Sequence, residues 1–245
     1  MRVLDLFSGI GGFSLGLERA GMETVAFCEI EPFCQKVLRK HWPDVPIYDD
    51  IKELTNERLQ ADGITADIIT GGYPCQPFSN AGQRQGKADD RHLWPEMYRL
   101  IKAIRPRWVI AENVAGHISL GLDAVLSDLE AIRFTCWVFV IPACAKDSPQ
   151  LRDRVWIVAH TKGKQGASEN IEQQSKKTSV PKKVEPGGGY RWDVRPRNWE
   201  REPAICRVVD GVPGQLDRNR ATGNAVVPQI PEIIGRAIME QEQAS

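Results

Sequence analysis

The stretch that decides the fold lies near the start of the chain and reads VLDLFSGIGG at residues 3–12. Its apolar first half is typical of a buried strand, and its glycine-rich second half leads into a helix-compatible segment. Nucleotides bind at such strand-to-helix turns in open α/β sheets, because glycine lets a ligand approach the backbone closely. The spacing of nicotinamide-binding turns would require glycine where this chain has Ser14. The turn therefore predicts a nucleotide-like ligand other than a nicotinamide cofactor. The alternative is that the glycines serve only the close packing of strand and helix.

Apolar runs alternate with helix-compatible segments over the first 160 residues. This alternation predicts an α/β fold with a Rossmann-like, mostly parallel sheet and helices on both faces. The last two runs are expected to form antiparallel neighbours at one edge of the sheet. The predicted strands are Val3–Phe7, Thr24–Cys28, Asp67–Thr70, Trp108–Ala111, Thr135–Ile141 and Val155–Ala159. The predicted helices are Phe13–Ala20, Pro32–His41, Ile51–Gln60, Pro95–Ile104, Leu122–Ile132 and Pro228–Glu240.

The charge of the chain is balanced overall but unevenly distributed. The 32 Lys and Arg residues balance the 32 Asp and Glu residues, so the net charge is zero. The overall charge therefore gives no sign of a nucleic-acid partner. Residues 161–201, however, hold ten basic and five acidic side chains, a local charge of +5 on a mildly acidic body. The start of the chain resembles neither a secretory nor a transit peptide, and no apolar stretch approaches the roughly 20 residues of a membrane span. We therefore expect a cytoplasmic protein with no membrane partner.

Acidic side chains follow two further predicted strands. Glu29 lies about 20 residues beyond the glycine turn, where an acid commonly accepts hydrogen bonds from a ribose, and Glu31 competes for this role. Asp49 and Asp50 end a third strand and precede Ile51, and a helix N-cap is the alternative role for at least one of them. The set suits a cofactor that bears adenosine.

Three polar elements indicate reaction chemistry at the same sheet edge. Cys75 lies in the turn Gly-Gly-Tyr-Pro-Cys-Gln-Pro at residues 71–77, which favours an exposed nucleophile over a structural cysteine. Glu112 directly follows an apolar strand and is expected to be partly desolvated, with an ordinary surface acid as the alternative. Gln150, Arg152 and Arg154 share one face of an extended segment, either as a clamp for a planar ligand or as solvated edge charges. The six cysteines show no metal-ligand spacing, so we expect no metal site.

Taken in order, these motifs resemble those of the DNA cytosine-5 methyltransferases, with the compact, phage-like members closest. One departure is Tyr73, where many members of the family have proline. The matching segments are Asp5–Gly12, Glu29, Asp50-Ile51, Gly72–Ser79, Arg91–Arg99, Glu112–Val114, Gln150–Arg154 and Gly223–Pro228.

The resemblance implies a covalent mechanism on a cytosine that is flipped out of the duplex. Cys75 would add to carbon 6 of the base as a thiolate, which makes carbon 5 nucleophilic. Glu112 would hold ring nitrogen 3 and the exocyclic amine, while Arg152 and Arg154 orient the base. Residues 78–91 resemble the loop that closes over the flipped nucleotide.

The resemblance also implies S-adenosylmethionine as the cofactor and duplex DNA as the partner. Three regions are expected: a catalytic domain at 1–160, a short target-recognition region at 161–215, and a C-terminal segment at 216–245 that packs back on the catalytic domain. The cofactor-binding residues would be Phe7, Gly9, Gly11, Gly12, Glu29, Ile30, Asp50, Ile51, Pro74, Leu93, Asn224 and Ala225. Of these, Ile30, Asp50 and Ile51 would contact the adenine. The DNA-binding residues would be Gln76, Ser79, Arg84, Gln150, Arg191, Arg195 and Arg197.

The sequence also allows two other functions. A related tRNA-modifying enzyme shares the motif set, so the substrate could be RNA. A non-catalytic DNA-binding regulator would retain the fold, although Cys75 and Glu112 are both present. We expect a monomer, and the resemblance leaves open a cognate restriction endonuclease that forms no complex with it.

Overall fold

A computed structural model describes residues 1–74, 93–142, 153–161 and 225–244, all of which belong to one folding unit. The strands of this part of the chain are β1 (Arg2–Leu6), β2 (Glu23–Cys28), β3 (Ile47–Tyr48), β4 (Ile68–Gly71), β5 (Trp108–Val114), β6 (Thr135–Pro142) and β7 (Asp153–His160). Its helices are α1 (Gly12–Arg19), α2 (Pro32–His41), α3 (Asn56–Ala61), α4 (Trp94–Ile104), α5 (His117–Leu120), α6 (Leu122–Ala131) and α7 (Gln229–Gln243).

The seven strands form one mixed sheet in the order β3-β2-β1-β4-β5-β7-β6. Strands β1 to β5 pair in parallel, and β7 runs antiparallel to both β5 and β6. This arrangement confirms the predicted Rossmann-like fold and the antiparallel pair at one edge. The chain moves outward from β1 to β3 and then returns to β4 on the other side. The crevice for a ligand is therefore expected at the carboxyl ends of β1 and β4, where the direction reverses.

The central strand β1 is buried on both faces, because its apolar side chains alternate between two cores. Leu4 and Leu6 lie in a larger core with residues of α3, α4 and α6, whereas Val3 lies in a smaller core with residues of α1 and α7. Such double burial explains why the parallel strands read as continuous apolar runs. In the described part of the chain, no helix combines the length with the apolar composition that a membrane span requires.

Helices α1 and α7 pack with almost no space between their backbones. A Cβ atom added at Gly16 would overlap the carbonyl oxygen of Pro228 and come within 2.9 Å of the Glu232 nitrogen. A Cβ at Gly235 would lie 2.9 Å from Leu17 Cδ2. Glycine is therefore required on both helices, and this contact holds the C-terminal segment against the start of the chain.

The predicted helix at Ile51–Gln60 is wrong in its first half. Asp50 Oδ1 accepts a hydrogen bond from the Lys52 backbone nitrogen at 2.9 Å, and the Asp50 carbonyl accepts from Glu53 and Leu54. This local bonding forms a turn instead of a helix. The helix begins only at Asn56, after Thr55 Oγ1 caps the Arg58 nitrogen at 3.2 Å. Strand β3 lies directly before Asp49 and Asp50, where a third strand was expected to end, whereas helix α5 was not among the predicted segments.

Candidate active site

The glycine turn after β1 is held in a left-handed conformation by local hydrogen bonds. Phe7, Gly9 and Gly11 have φ values of 53°, 54° and 85°, and such values are costly for a bulky residue such as Phe7. Ser8 Oγ donates to the Asp5 carbonyl at 2.6 Å, and the Gly11 nitrogen donates to the Ser8 carbonyl at 2.8 Å. The turn is thus fixed before any ligand arrives.

The three glycines of this turn differ in what surrounds them. A Cβ at Gly11 would lie 2.6 Å from the Trp42 ring, and one at Gly12 would lie 2.6 Å from the Val226 carbonyl oxygen. A Cβ at Gly9 would meet nothing within 4 Å. Gly11 and Gly12 therefore serve close packing, which was the alternative interpretation of the motif, and Gly9 borders open space.

Glu29 connects the end of β2 to this turn. Its carboxylate accepts the Gly9 backbone N–H at 2.6 Å through Oε2 and the Glu31 N–H at 2.8 Å through Oε1. The side chain is buried, and desolvation raises its pKa above the ordinary value. Glu31 is exposed, whereas Glu29 is buried and bonds directly to the glycine turn. Ile30 beside it is 64% exposed and presents an apolar surface at the same sheet edge.

The other predicted adenine contacts follow β3. Asp50 is partly exposed and caps the turn described above, while Asp49 Oδ1 accepts from Gln35 Nε2 at 2.9 Å. The Ile51 side chain is 3% exposed and lies in the larger core. Of the two isoleucines predicted at the adenine, Ile30 offers the exposed surface and Ile51 the buried one. On the other side of the crevice, Pro74 is exposed and Leu93 is half-buried just before α4.

A buried carboxyl group lies directly beneath the glycine turn. Asp5 is completely buried in β1, where Ser14 Oγ donates to Oδ2 at 2.7 Å and Thr70 Oγ1 donates to Oδ1 at 3.0 Å. Desolvation raises its pKa to about 7, although these hydrogen bonds act in the opposite direction. Ser14, which argued against a nicotinamide-binding turn, therefore joins α1 to β1 and β4 through this carboxyl group.

Glu112 and Arg154 meet at the carboxyl end of β5. Arg154 lies opposite Val114 in the β5–β7 pairing, so its side chain reaches diagonally to Glu112 on the same face. Arg154 Nε is 2.8 Å from Glu112 Oε1, and the two side chains are only 19% and 12% exposed. The pair forms the polar wall of a small cavity. Its other lining residues are Trp156, Ala225, Val226, Val227 and Ile230.

Sequence patterns did not reveal the contacts that hold Tyr73. Its hydroxyl shares a 2.7 Å hydrogen bond with His117 Nε2, and its carbonyl accepts from Asn113 Nδ2 at 3.1 Å. All three side chains are buried. No motif pairs a tyrosine with a histidine 44 positions away, but the position of Asn113 directly after the candidate catalytic acid Glu112 is a sequence signal for a positioning residue.

Two of the described cysteines, Cys28 and Cys136, are poor nucleophiles. Cys28 is buried and Cys136 is half-buried, and desolvation raises the pKa of each thiol to about 12. The thiolate, which is the reactive form, is therefore scarce at neutral pH. The remaining predicted site residues lie outside the described residues: Cys75, Gln76, Ser79, Arg84, Gln150, Arg152, Arg191, Arg195, Arg197 and Asn224.

Comparisons with known proteins agree with this geometry. The family model for C-5 cytosine-specific DNA methylases matches residues 1–191. Type II methyltransferase M.HgiBI of Herpetosiphon aurantiacus is 36% identical over 163 residues, which cover 64% of this chain and 36% of that protein. Type II methyltransferase M.NgoMIV of Neisseria gonorrhoeae is 45% identical over 114 residues, covering 46% of this chain and 35% of the relative.

A solved structure agrees as well. A prophage-encoded protein of Escherichia coli, described as a DNA modification methyltransferase, superposes with a TM-score of 0.58 at 26% identity. The match covers 66% of this chain and 47% of that one. The sheet order and the crevice residues thus define a Rossmann-like methyltransferase fold. Within that class, the chain belongs to the C-5 cytosine-specific DNA methylase family. It matches little more than a third of the length of the two relatives named above.

Proposed function

We propose that this protein transfers a methyl group from S-adenosylmethionine to carbon 5 of cytosine in duplex DNA. The observation that carries the proposal is the ion pair of Glu112 and Arg154, two motif residues 42 positions apart that meet at the carboxyl edge of the sheet. The glycine turn and Glu29 lie at the carboxyl ends of neighbouring strands of the same sheet.

The described residues fit S-adenosylmethionine. The Glu29 carboxylate accepts two hydrogen bonds from backbone N–H groups. Its remaining lone pairs can accept hydrogen bonds from ribose hydroxyl groups. Exposed Ile30 suits the face of an adenine, and the open space at Gly9 lets a ligand approach the backbone. S-adenosylmethionine, when bound, supplies an electrophilic methyl group. Pro74, Leu93 and Ala225 would border its methionine end.

Glu112 and Arg154 have complementary roles toward the base. One oxygen of the Glu112 carboxyl group can accept a hydrogen bond from the exocyclic amine of cytosine. The other oxygen, when it carries a proton, can donate to ring nitrogen 3 and so supply the proton that neutralises the adduct. The Arg154 guanidinium fixes this carboxylate through a charge-assisted hydrogen bond in a site that is mostly shielded from water. Gly72 keeps the approach open, because a Cβ there would lie 3.3 Å from Glu112 Oε2. Cys75 would supply the thiolate that adds to carbon 6.

The test is transfer of a labelled methyl group to duplex DNA. The wild-type protein is expected to label duplex DNA, with the product located at carbon 5 of cytosine by bisulfite sequencing. Cys75→Ser should abolish labelling while cofactor binding persists, since the variant lacks the nucleophile. Cys136→Ser is the matched control and should keep full activity, because the pKa of that thiol is about 12. Full activity of Cys75→Ser would contradict the covalent mechanism.

The same assay separates the two substrate classes. Duplex DNA and tRNA are incubated in parallel with the labelled cofactor, and only the DNA should acquire label. Label in tRNA alone would overturn the proposed substrate but retain the chemistry. No label in either substrate, with the cofactor bound, would favour a non-catalytic DNA-binding protein.

A further inference from the structure

The segment that precedes Cys75 is held by residues that follow Glu112. Tyr73 is bonded at both ends: its carbonyl accepts from Asn113, and its hydroxyl pairs with His117. Asn113 is the residue after Glu112 in β5, and His117 begins α5 three residues beyond the end of that strand. The two loops expected to carry the nucleophile and the acid are therefore joined through one tyrosine.

The surroundings of Tyr73 make this connection rigid. Its ring packs against the Trp94 ring with centroids 5.1 Å apart and meets the His117 ring edge-on at 5.4 Å. Tyr73 is 3% exposed and His117 is 7% exposed, so water competes little for their hydrogen bond. The Asn113 side chain is fixed in turn, because its Oδ1 accepts from the Val114 nitrogen at 2.8 Å.

We infer that Tyr73 and His117 form a positioning pair that fixes the backbone preceding Cys75 relative to Glu112. The inference rests on the proposed function. Two residues of chain span at most about 7 Å, so the position of Tyr73 limits where the thiol can reach. A proline at position 73 would stiffen the turn through its ring, whereas tyrosine secures it through a bond to the neighbouring loop.

Tyr73→Phe removes only the hydroxyl and keeps both ring contacts. We expect kcat for methyl transfer to fall at least tenfold, because misplacement of a reacting group by about 1 Å can cost roughly 100-fold. The KM values for DNA and for the cofactor should stay within twofold. Tyr48→Phe is the matched control: its hydroxyl also donates a 2.7 Å bond, to exposed Asp62, and its loss should leave kcat unchanged.

A second pair of variants separates positioning from stability. His117→Gln can keep a hydrogen-bonding group near the Tyr73 hydroxyl and should retain more activity than His117→Ala. The double variant Tyr73→Phe with His117→Ala should be no slower than His117→Ala alone, because the two residues act as one unit. Equal kcat for Tyr73→Phe and wild type would overturn the inference. If the wild-type protein itself labels no DNA in this assay, the proposed function fails instead.

Discussion

The contact between α1 and α7 gives the sharpest prediction about stability. Gly16→Ala would place a methyl group against the carbonyl of Pro228, which accepts the hydrogen bond of the Glu232 nitrogen at the start of α7. The methyl group would also lie 3.0 Å from Pro231 Cβ, so no direction of small movement relieves every contact. Helix α7 would have to move by roughly 1 Å, which is an overpacking change.

The magnitude follows from two opposing effects. Overpacking of this kind costs about 1–3 kcal/mol, while alanine is a better helix former than glycine by about 1 kcal/mol. Because the contact is with backbone, which cannot rotate away, we expect the upper end of the first range and a net loss of about 2 kcal/mol. For a chain of this length that corresponds to a decrease in Tm of roughly 4–8 °C.

Differential scanning calorimetry measures this loss. Gly116→Ala is the matched control, because Gly116 has φ −60° and a Cβ there would meet nothing within 4 Å. Its Tm should stay within about 2 °C of wild type. If the Tm of Gly16→Ala equals that of Gly116→Ala, the two helices are not packed as closely as described. The placement of the C-terminal segment beside Glu112 then loses its support.

Two further predictions concern the crevice itself. The pKa of Asp5 is raised from 3.8 to about 7, so the protonated form favours folding, and this contribution is lost as pH rises from about 4 to 7. Urea titration at each pH gives the free energy of unfolding of the wild-type protein and of Asp5→Asn. The wild-type value should fall by roughly 3 kcal/mol relative to the variant between pH 5 and pH 8. A difference between the two proteins that does not change with pH would contradict the burial of Asp5. Glu29→Gln loses one of two bonds to backbone N–H groups and should weaken binding of S-adenosylhomocysteine at least tenfold by calorimetry. Glu31→Gln, at an exposed position, should bind within twofold of wild type, and equal losses in both variants would contradict the assignment to Glu29.

Much of the fold could be predicted because its signals are local. Helix α2 begins and ends at the predicted residues, with Pro32 at its first turn and apolar residues at helical spacing. The antiparallel pair β6–β7 was predictable from the shortness of its connection. Local signals failed at residues 51–55, because the hydrogen bond that the Lys52 N–H donates to the Asp50 side chain competes with helix formation. An apolar pattern does not report such bonds.

The candidate site was predictable in part for the same reason. Glu112 and Glu29 follow buried strands, so their position at the carboxyl edge follows from the alternation of strands and helices. The different surroundings of Gly9 and Gly12 could not be predicted, since they depend on Val226, which is more than 200 residues away. The Tyr73–His117 bond was also hidden, because it joins two loops that only the completed sheet brings together.

The covalent mechanism through Cys75 can be tested by trapping the protein on duplex DNA that contains 5-fluorocytosine at the target position. Fluorine at carbon 5 blocks the proton loss that would release the enzyme, so a methylated adduct should accumulate and survive denaturation. One adduct is expected, joined through Cys75 and absent in Cys75→Ser. Methylation of normal duplex DNA with no adduct on the fluorinated duplex, or an adduct joined through another residue, would contradict this mechanism.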